Sequence, residues 1–81
     1  MKVLFISSRD AKFDICSMTV EAGYFKDPAE YPGVAHLLEH LLFMGTANYP
    51  HESEFSKFIS DNSGCSNAST SGAFTKFYFS I

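Results

Sequence analysis

The sequence predicts an α+β fold in which an antiparallel or mixed sheet packs against helices. Residues 15–22 and 75–81 alternate between apolar and polar side chains, as half-buried strands do. Residues 34–44 and 52–63 instead repeat their apolar side chains at the spacing of amphipathic helices. The 81 residues are enough for one small domain. We expect the order strand, strand, helix, helix, strand, strand.

The first strand is predicted at Val3–Ile6, a short continuous apolar run typical of a buried strand. The polar segment Ser7–Phe13 predicts a turn after it. Alternation in the second strand then places four side chains on one face: Cys16, Met18, Val20 and Ala22. We expect these first two strands to form a hairpin.

The first helix is expected to begin after Tyr31-Pro32-Gly33, because proline is tolerated in a first turn, and to end near Gly45. One of its faces is an apolar stripe that can pack on a core, made of Val34, Leu37, Leu38, Leu41 and Leu42. The opposite face would then be turned toward a cleft or solvent. The second helix is predicted to pack through three residues and to stop at Gly64; the three are Phe55, Phe58 and Ile59.

His36, Glu39 and His40 lie on one side of the first predicted helix. Side chains advance roughly 100° per residue, so the two histidines lie one turn apart and Glu39 lies beside them. Two histidines at i and i+4 can share a zinc ion, and a neighbouring carboxylate can take a proton from water. This is the inverted zincin order, HxxEH. Taken alone, the pattern is more often two ordinary histidines on a solvated helix face.

Charge and cysteine content exclude several other functions. The net charge is −3 and the six basic residues are scattered, so we expect no nucleic-acid partner. Cys16 and Cys65 are too few for a disulfide framework and indicate reduced thiols in a cytoplasmic protein. The apolar run Val3–Ile6 is too short for a signal peptide or a membrane span, so no membrane association is expected.

The stretch Ser66–Thr70 consists of small and polar side chains, which suit an exposed sheet edge better than a core. An exposed edge can bind an extended peptide through main-chain hydrogen bonds. By itself, however, the composition favours an ordinary Ser/Thr-rich loop.

Five stretches of the chain carry a resemblance to a known family: Asp27-Pro28, the run from Gly33 to Thr46, Tyr49-Pro50, the run from Gly64 to Ala68, and the run from Thr75 to Phe79. In order, spacing and identity they resemble the insulinase/pitrilysin family of inverted-motif (HxxEH) zinc metallopeptidases over nearly the whole chain. Two further stretches, Asn48–Glu52 and Ser69–Gly72, resemble its insulin-degrading-enzyme branch more than its mitochondrial processing branch.

The resemblance implies a role for each site residue. His36 and His40 would bind one Zn²⁺ per complete active site, and Glu39 would be the general base. The family's third ligand is a glutamate on a later helix, beyond residue 81. The family strand that holds the substrate backbone matches the segment containing Asn67, Ala68 and Ser69, which would therefore bind substrate. Ser69 departs from the pattern, because relatives often have an aromatic residue there.

The resemblance also implies that residues 1–81 are the N-terminal part of one insulinase-type peptidase domain, truncated at the C-terminal end. Family members are large and consist of repeated domains that close around a chamber. The expected partners are peptide substrates and the remaining domains of the full-length enzyme. The expected function is zinc-dependent hydrolysis of short or unfolded peptides, with the isolated fragment inactive. The alternative is a non-catalytic peptide-binding or partner subunit of the same family.

Overall fold

The computed structural model describes residues 1–81 and confirms the α+β class. Its elements, in chain order, are β1 (Ile15–Val20), α1 (Val34–Leu41), α2 (Glu54–Asp61), β2 (Cys65–Thr70) and β3 (Thr75–Ser80). A short 3-10 turn, Tyr24–Lys26, lies between β1 and α1. The two α-helices have eight residues each, and neither could span a membrane.

The three strands form one antiparallel sheet in the order β1-β3-β2, so β3 is central. β2 and β3 form a hairpin closed by residues 71–74, in which the Ser71 N–H donates to the Phe74 carbonyl at 2.9 Å. Thr75 of β3 lies opposite Val20 on one side and Thr70 on the other. The segment expected to be either an edge strand or a loop is therefore the edge strand β2.

The predicted first strand and its hairpin are wrong. Val3–Ile6 has no strand partner, and its side chains are exposed. β1 pairs instead with β3, about 60 residues further along the chain. The physical reason is that a run of four apolar residues only permits a strand, whereas a strand forms when a partner supplies backbone hydrogen bonds.

The helix α1 packs on the sheet through a different face from the one predicted. Its sheet side is formed by Ala35 and Glu39, and Phe43, in the turn after the helix, continues the four-residue spacing. Glu39 is the buried residue of this helix. The predicted leucine stripe is half exposed, with Leu37 at 58%. The helix was expected to bury its leucine-rich arc. The sheet instead covers the neighbouring arc, which includes the Glu39 carboxylate.

Both helices are shorter than predicted. α1 ends at Leu41, and the following turn tightens as the Met44 N–H donates to the Leu41 carbonyl at 3.0 Å. After α2, the left-handed residue is Ser63 with φ 56°, not Gly64. Gly64 is needed for another reason, because a Cβ there would lie 2.2 Å from the Ser80 carbonyl oxygen.

The core between the helices and the sheet is small and aromatic. Ile59 of α2 is 3% exposed and is the one buried hydrophobic residue. Phe43 contacts Phe77, and Phe55 contacts Phe79, with ring centroids 6.1 Å apart in each pair. Phe58, predicted to be part of the core, is 56% exposed and lines an apolar groove instead.

A large apolar surface remains uncovered. The accessible surface is 7016 Å², whereas a compact protein of 9.0 kDa is expected to expose about 4,900 Å². Exposed apolar side chains come from the N-terminal segment, β1 and the outer face of α1. The helices therefore cover the β2–β3 side of the sheet better than β1.

The 3-10 turn connects the β1–α1 segment to the hairpin loop. Tyr24 and Phe25 donate their N–H groups to the carbonyls of Ser71 and Gly72 at 3.0 and 2.9 Å. Gly23 is buried at this junction, where a Cβ would lie 2.0 Å from the Ser71 carbonyl oxygen. Glycine therefore permits the close approach of two backbones beside the ends of β2 and β3.

Candidate metal centre

The start of α1 is fixed by a carboxylate from the preceding loop. Asp27 accepts the Gly33 N–H at 2.7 Å with one oxygen and the Ala35 N–H at 2.9 Å with the other. Gly33 has φ 93°, a left-handed conformation that favours glycine. The residue after Ala35 is His36, so this capping interaction fixes the turn that carries the first histidine. Sequence reasoning missed this role, because the cap comes from six and eight residues away.

The two histidines lie together on α1, as their i, i+4 spacing predicts. The Nε2 atoms of His36 and His40 are 3.1 Å apart, the ring centroids are 4.8 Å apart, and both side chains are exposed. Two Zn–N bonds of about 2.0–2.1 Å at a tetrahedral angle hold their nitrogens about 3.3 Å apart. The observed separation therefore fits one shared ion.

Glu39 is placed differently from the histidines. It is 7% exposed, and its Oε2 accepts a hydrogen bond from the Thr70 hydroxyl of β2. The expectation that the whole His/Glu face is turned to a cleft or solvent is therefore wrong for Glu39. Its other oxygen, Oε1, accepts no hydrogen bond within the chain, yet no buried polar side-chain atom lacks a partner. Oε1 therefore retains contact with solvent.

His36, Glu39 and His40 are the one group of three or more potential ligand residues close enough to hold a metal, with donor atoms within 4.8 Å of one another. Imidazole and carboxylate donors suit zinc. Both cysteines are free and belong to no such group. If Glu39 serves as a base, the chain supplies two protein ligands, one fewer than a catalytic zinc takes.

The predicted substrate residues lie on the edge strand β2. Asn67 and Ser69 are exposed, whereas Ala68 is half-buried and points to the opposite face of the sheet. The Ala68 N–H donates to the Asn67 side-chain oxygen at 2.8 Å. Thr70, on the same strand, contacts Glu39. The strand edge and the histidine helix are thus neighbours in the fold.

Comparison with known proteins finds similarity to one family along almost the whole chain. Residues 2–81 match the family described as Insulinase (Peptidase family M16). Insulin-degrading enzyme of Mus musculus is 43% identical over all 81 residues, and the A-factor-processing enzyme of Saccharomyces cerevisiae is 41% identical. The chain spans 8% of the length of each of these two relatives.

A crystal structure of pitrilysin has the same fold, with a TM-score of 0.89 and 33% identity over 93% of this chain and 8% of that one. The three-stranded antiparallel sheet with its two helices is therefore consistent with part of an insulinase-type domain. With sequence and fold in agreement over almost every residue, the chain belongs to the insulinase family, peptidase family M16.

Proposed function

We propose that this chain carries the zinc-binding helix and part of the substrate cleft of a zinc metalloendopeptidase. The reaction would be hydrolysis of peptide bonds in short or unfolded peptides. The proposal rests on one observation above all: two imidazole nitrogens 3.1 Å apart and a carboxylate gather beside an edge strand.

His36 and His40 would hold the ion through Nε2. Their exposed rings leave the metal accessible from solvent, and the Asp27 cap keeps the first turn of the helix in place. When bound, zinc supplies a Lewis acid that polarises the scissile carbonyl and makes water more acidic. A further ligand would come from outside residues 1–81, because no other suitable group lies near the pair.

Glu39 would act as the general base. Its Oε2 is occupied by Thr70, whereas Oε1 is free to accept a proton from the attacking water. A carboxylate held on the sheet side of the helix, next to the histidines, can act on water without replacing a histidine as ligand. The proton would then pass from Oε1 to the amine leaving group.

β2 would hold the substrate as an added strand. It is an edge strand, so its outer side is open to main-chain hydrogen bonds. The Ala68 N–H, which now bonds the Asn67 side chain, is a donor that an incoming peptide could use. Asn67 and Ser69 would contact side chains of the substrate on the exposed face. Backbone pairing of this kind suits extended peptides of varied sequence.

The remaining domains of a longer chain would complete the site and cover the apolar surface described above. Residues 1–81 alone would be inactive, because two histidines leave the usual third protein ligand unfilled. The two free cysteines favour a reducing compartment such as the cytoplasm.

The test is the zinc content of the full-length chain that contains residues 1–81. His36→Ala and His40→Ala should each lose zinc and peptidase activity together, because each removes a ligand. His51→Ala is the matched control, since His51 is exposed in the loop before α2 and belongs to no candidate ligand group. Full zinc occupancy in both histidine variants would contradict the proposed site.

The alternative is a non-catalytic subunit that binds peptides through β2. The open edge of β2 is the observation that favours it, since peptide binding there needs no metal. A full-length chain that binds peptides but neither retains zinc nor cleaves them would support this alternative.

A further inference from the structure

Thr70 is the single hydrogen-bond partner of the Glu39 side chain within the chain. The two residues are 31 positions apart, and their contact joins α1 to β2 across the partly buried helix–sheet interface. The surroundings are mostly apolar, with Val20, Leu38 and Phe77 lining the same small cavity as Glu39. A carboxylate in such surroundings is costly to leave without a donor.

The position of Thr70 is itself fixed by the sheet. Thr70 ends β2 directly opposite Thr75 of the central strand β3. Thr75 is 6% exposed, and its hydroxyl donates to the Ala22 carbonyl at 2.7 Å. Its oxygen also lies 3.5 Å from that of Thr70. The Thr75 proton goes to Ala22, and the single Thr70 proton goes to the Glu39 carboxylate, which can only accept.

We propose that Thr70 is the positioning residue of Glu39: it holds Oε2 against β2 so that Oε1 stays free beside the histidines. This inference rests on the proposed function, in which Glu39 is the base. A glutamate side chain has three rotatable bonds, and a carboxylate released from Thr70 could swing toward solvent or toward the ion. Thr70 would thereby keep Glu39 in the position of a base and prevent it from becoming a metal ligand.

The placement of Thr70 also links the base to the substrate. Asn67–Ser69 immediately precede Thr70 on the same strand, so the strand that would pair with a peptide also holds Glu39. Because a strand is stiff over such a short distance, β2 would hold the Glu39 carboxylate at a fixed position relative to the peptide backbone. Positioning of this kind supports catalysis by alignment of the reacting groups.

The experiment compares variants of the zinc-loaded full-length chain. Thr70→Val removes the hydroxyl but keeps the shape of the side chain. Thr70→Ala removes the hydroxyl and also makes the side chain smaller. Thr70→Ser keeps the hydroxyl. Thr19→Val is the matched control, because Thr19 is an exposed β1 residue whose side chain makes no hydrogen bond. Each variant is measured for zinc content, kcat and KM on one peptide, and the Glu39 conformation is determined by crystallography.

We expect Thr70→Val and Thr70→Ala to lower kcat about 10-fold to 100-fold, the loss typical of a hydrogen bond to a charged group. KM should change less than threefold and zinc content should stay at the wild-type level, about equal to that of Thr19→Val. Thr70→Ser should recover most of kcat. The crystal structure of the valine variant should show the Glu39 carboxylate displaced from β2.

Three results would overturn the inference. The first is a valine or alanine variant with zinc bound and kcat within twofold of wild type. The second is a serine variant as impaired as the valine variant, which would assign the effect to packing. The third is loss of zinc in both hydroxyl-free variants, which would make Thr70 part of the support for the metal. A parallel Glu39→Gln variant separates the two proposals: if it is inactive while Thr70→Val is active, only the role of Thr70 is wrong, and if it is fully active, both are.

Discussion

The Asp27 carboxylate accepts the backbone N–H of Ala35 at 2.9 Å, directly before the first histidine of α1. With Gly33 bonded to the second carboxylate oxygen, one side chain satisfies two of the free N–H groups at the helix start. The positive end of the helix dipole also stabilises a negative charge at this position. The geometry of the histidine pair thus depends on a loop residue outside the HxxEH motif.

Asp27→Ala should loosen the first turn of α1. Loss of an N-terminal cap costs about 0.5–2 kcal/mol, which corresponds to a roughly 2-fold to 30-fold larger population of the locally opened helix end. Hydrogen exchange of the full-length chain, followed by mass spectrometry, should show faster exchange in a peptide that covers residues 33–39. Asp10→Ala is the control, because the Asp10 carboxylate makes no hydrogen bond. Unchanged exchange at residues 33–39 would contradict the capping role.

Glu39→Gln should abolish peptide cleavage while keeping the metal. Glutamine has nearly the same shape and can still accept the Thr70 hydrogen bond, but it cannot take a proton from water at neutral pH. The expected loss of kcat is about 10²-fold to 10⁴-fold, with zinc content unchanged. Steady-state kinetics measures kcat, and elemental analysis of the same sample measures the zinc content. Near-normal turnover, or a zinc loss as complete as that of the histidine variants, would contradict the assignment of Glu39 as the base.

Peptide binding should depend on main-chain hydrogen bonds at the outer edge of β2. N-methylation of a single substrate amide removes one such donor or blocks the approach of the strand. A series of peptides methylated at successive positions should therefore show raised KM at alternate residues, because every second amide of a strand points to its partner. The unmethylated peptide is the control. A uniform KM along the series would argue against strand addition at Asn67–Ser69.

Residues 1–81 expressed alone should fold poorly. The chain buries one hydrophobic residue, Ile59, and exposes about 2,000 Å² more surface than a compact protein of its mass. We expect binding of a hydrophobic dye and no cooperative thermal transition. The full-length chain is the control and should bind little dye. A sharp transition of the fragment without dye binding would show that its small aromatic core is sufficient.

Some features of this protein follow from local chemistry and were therefore predictable. The i, i+4 spacing of His36 and His40 places the two rings together on any helix, since the helical repeat is fixed. The alternation in residues 15–20 and 75–80 likewise sets which side chains share a face once these segments pair as strands. In these cases the pattern and the final structure depend on the same short-range geometry.

Other features depend on contacts between distant residues. The apolar run Val3–Ile6 has the composition of a strand but no partner, while β1 pairs with a strand at the opposite end of the chain. The leucines of α1 are the most apolar residues of the helix, yet the sheet covers Ala35 and Glu39 instead. Hydrophobicity favours burial in general, but it does not determine which face of a helix the rest of the fold will cover.

The family, the α+β class and the three residues of the HxxEH group are all recognisable from the order of residues alone. The cap that Asp27 places on the histidine-bearing helix and the hydrogen bond from Thr70 to Glu39 are seen only in the folded chain. The spacing of groups within one helix is set by bond geometry, whereas a hydrogen bond across 31 residues exists only after the sheet has formed and α1 has packed on it.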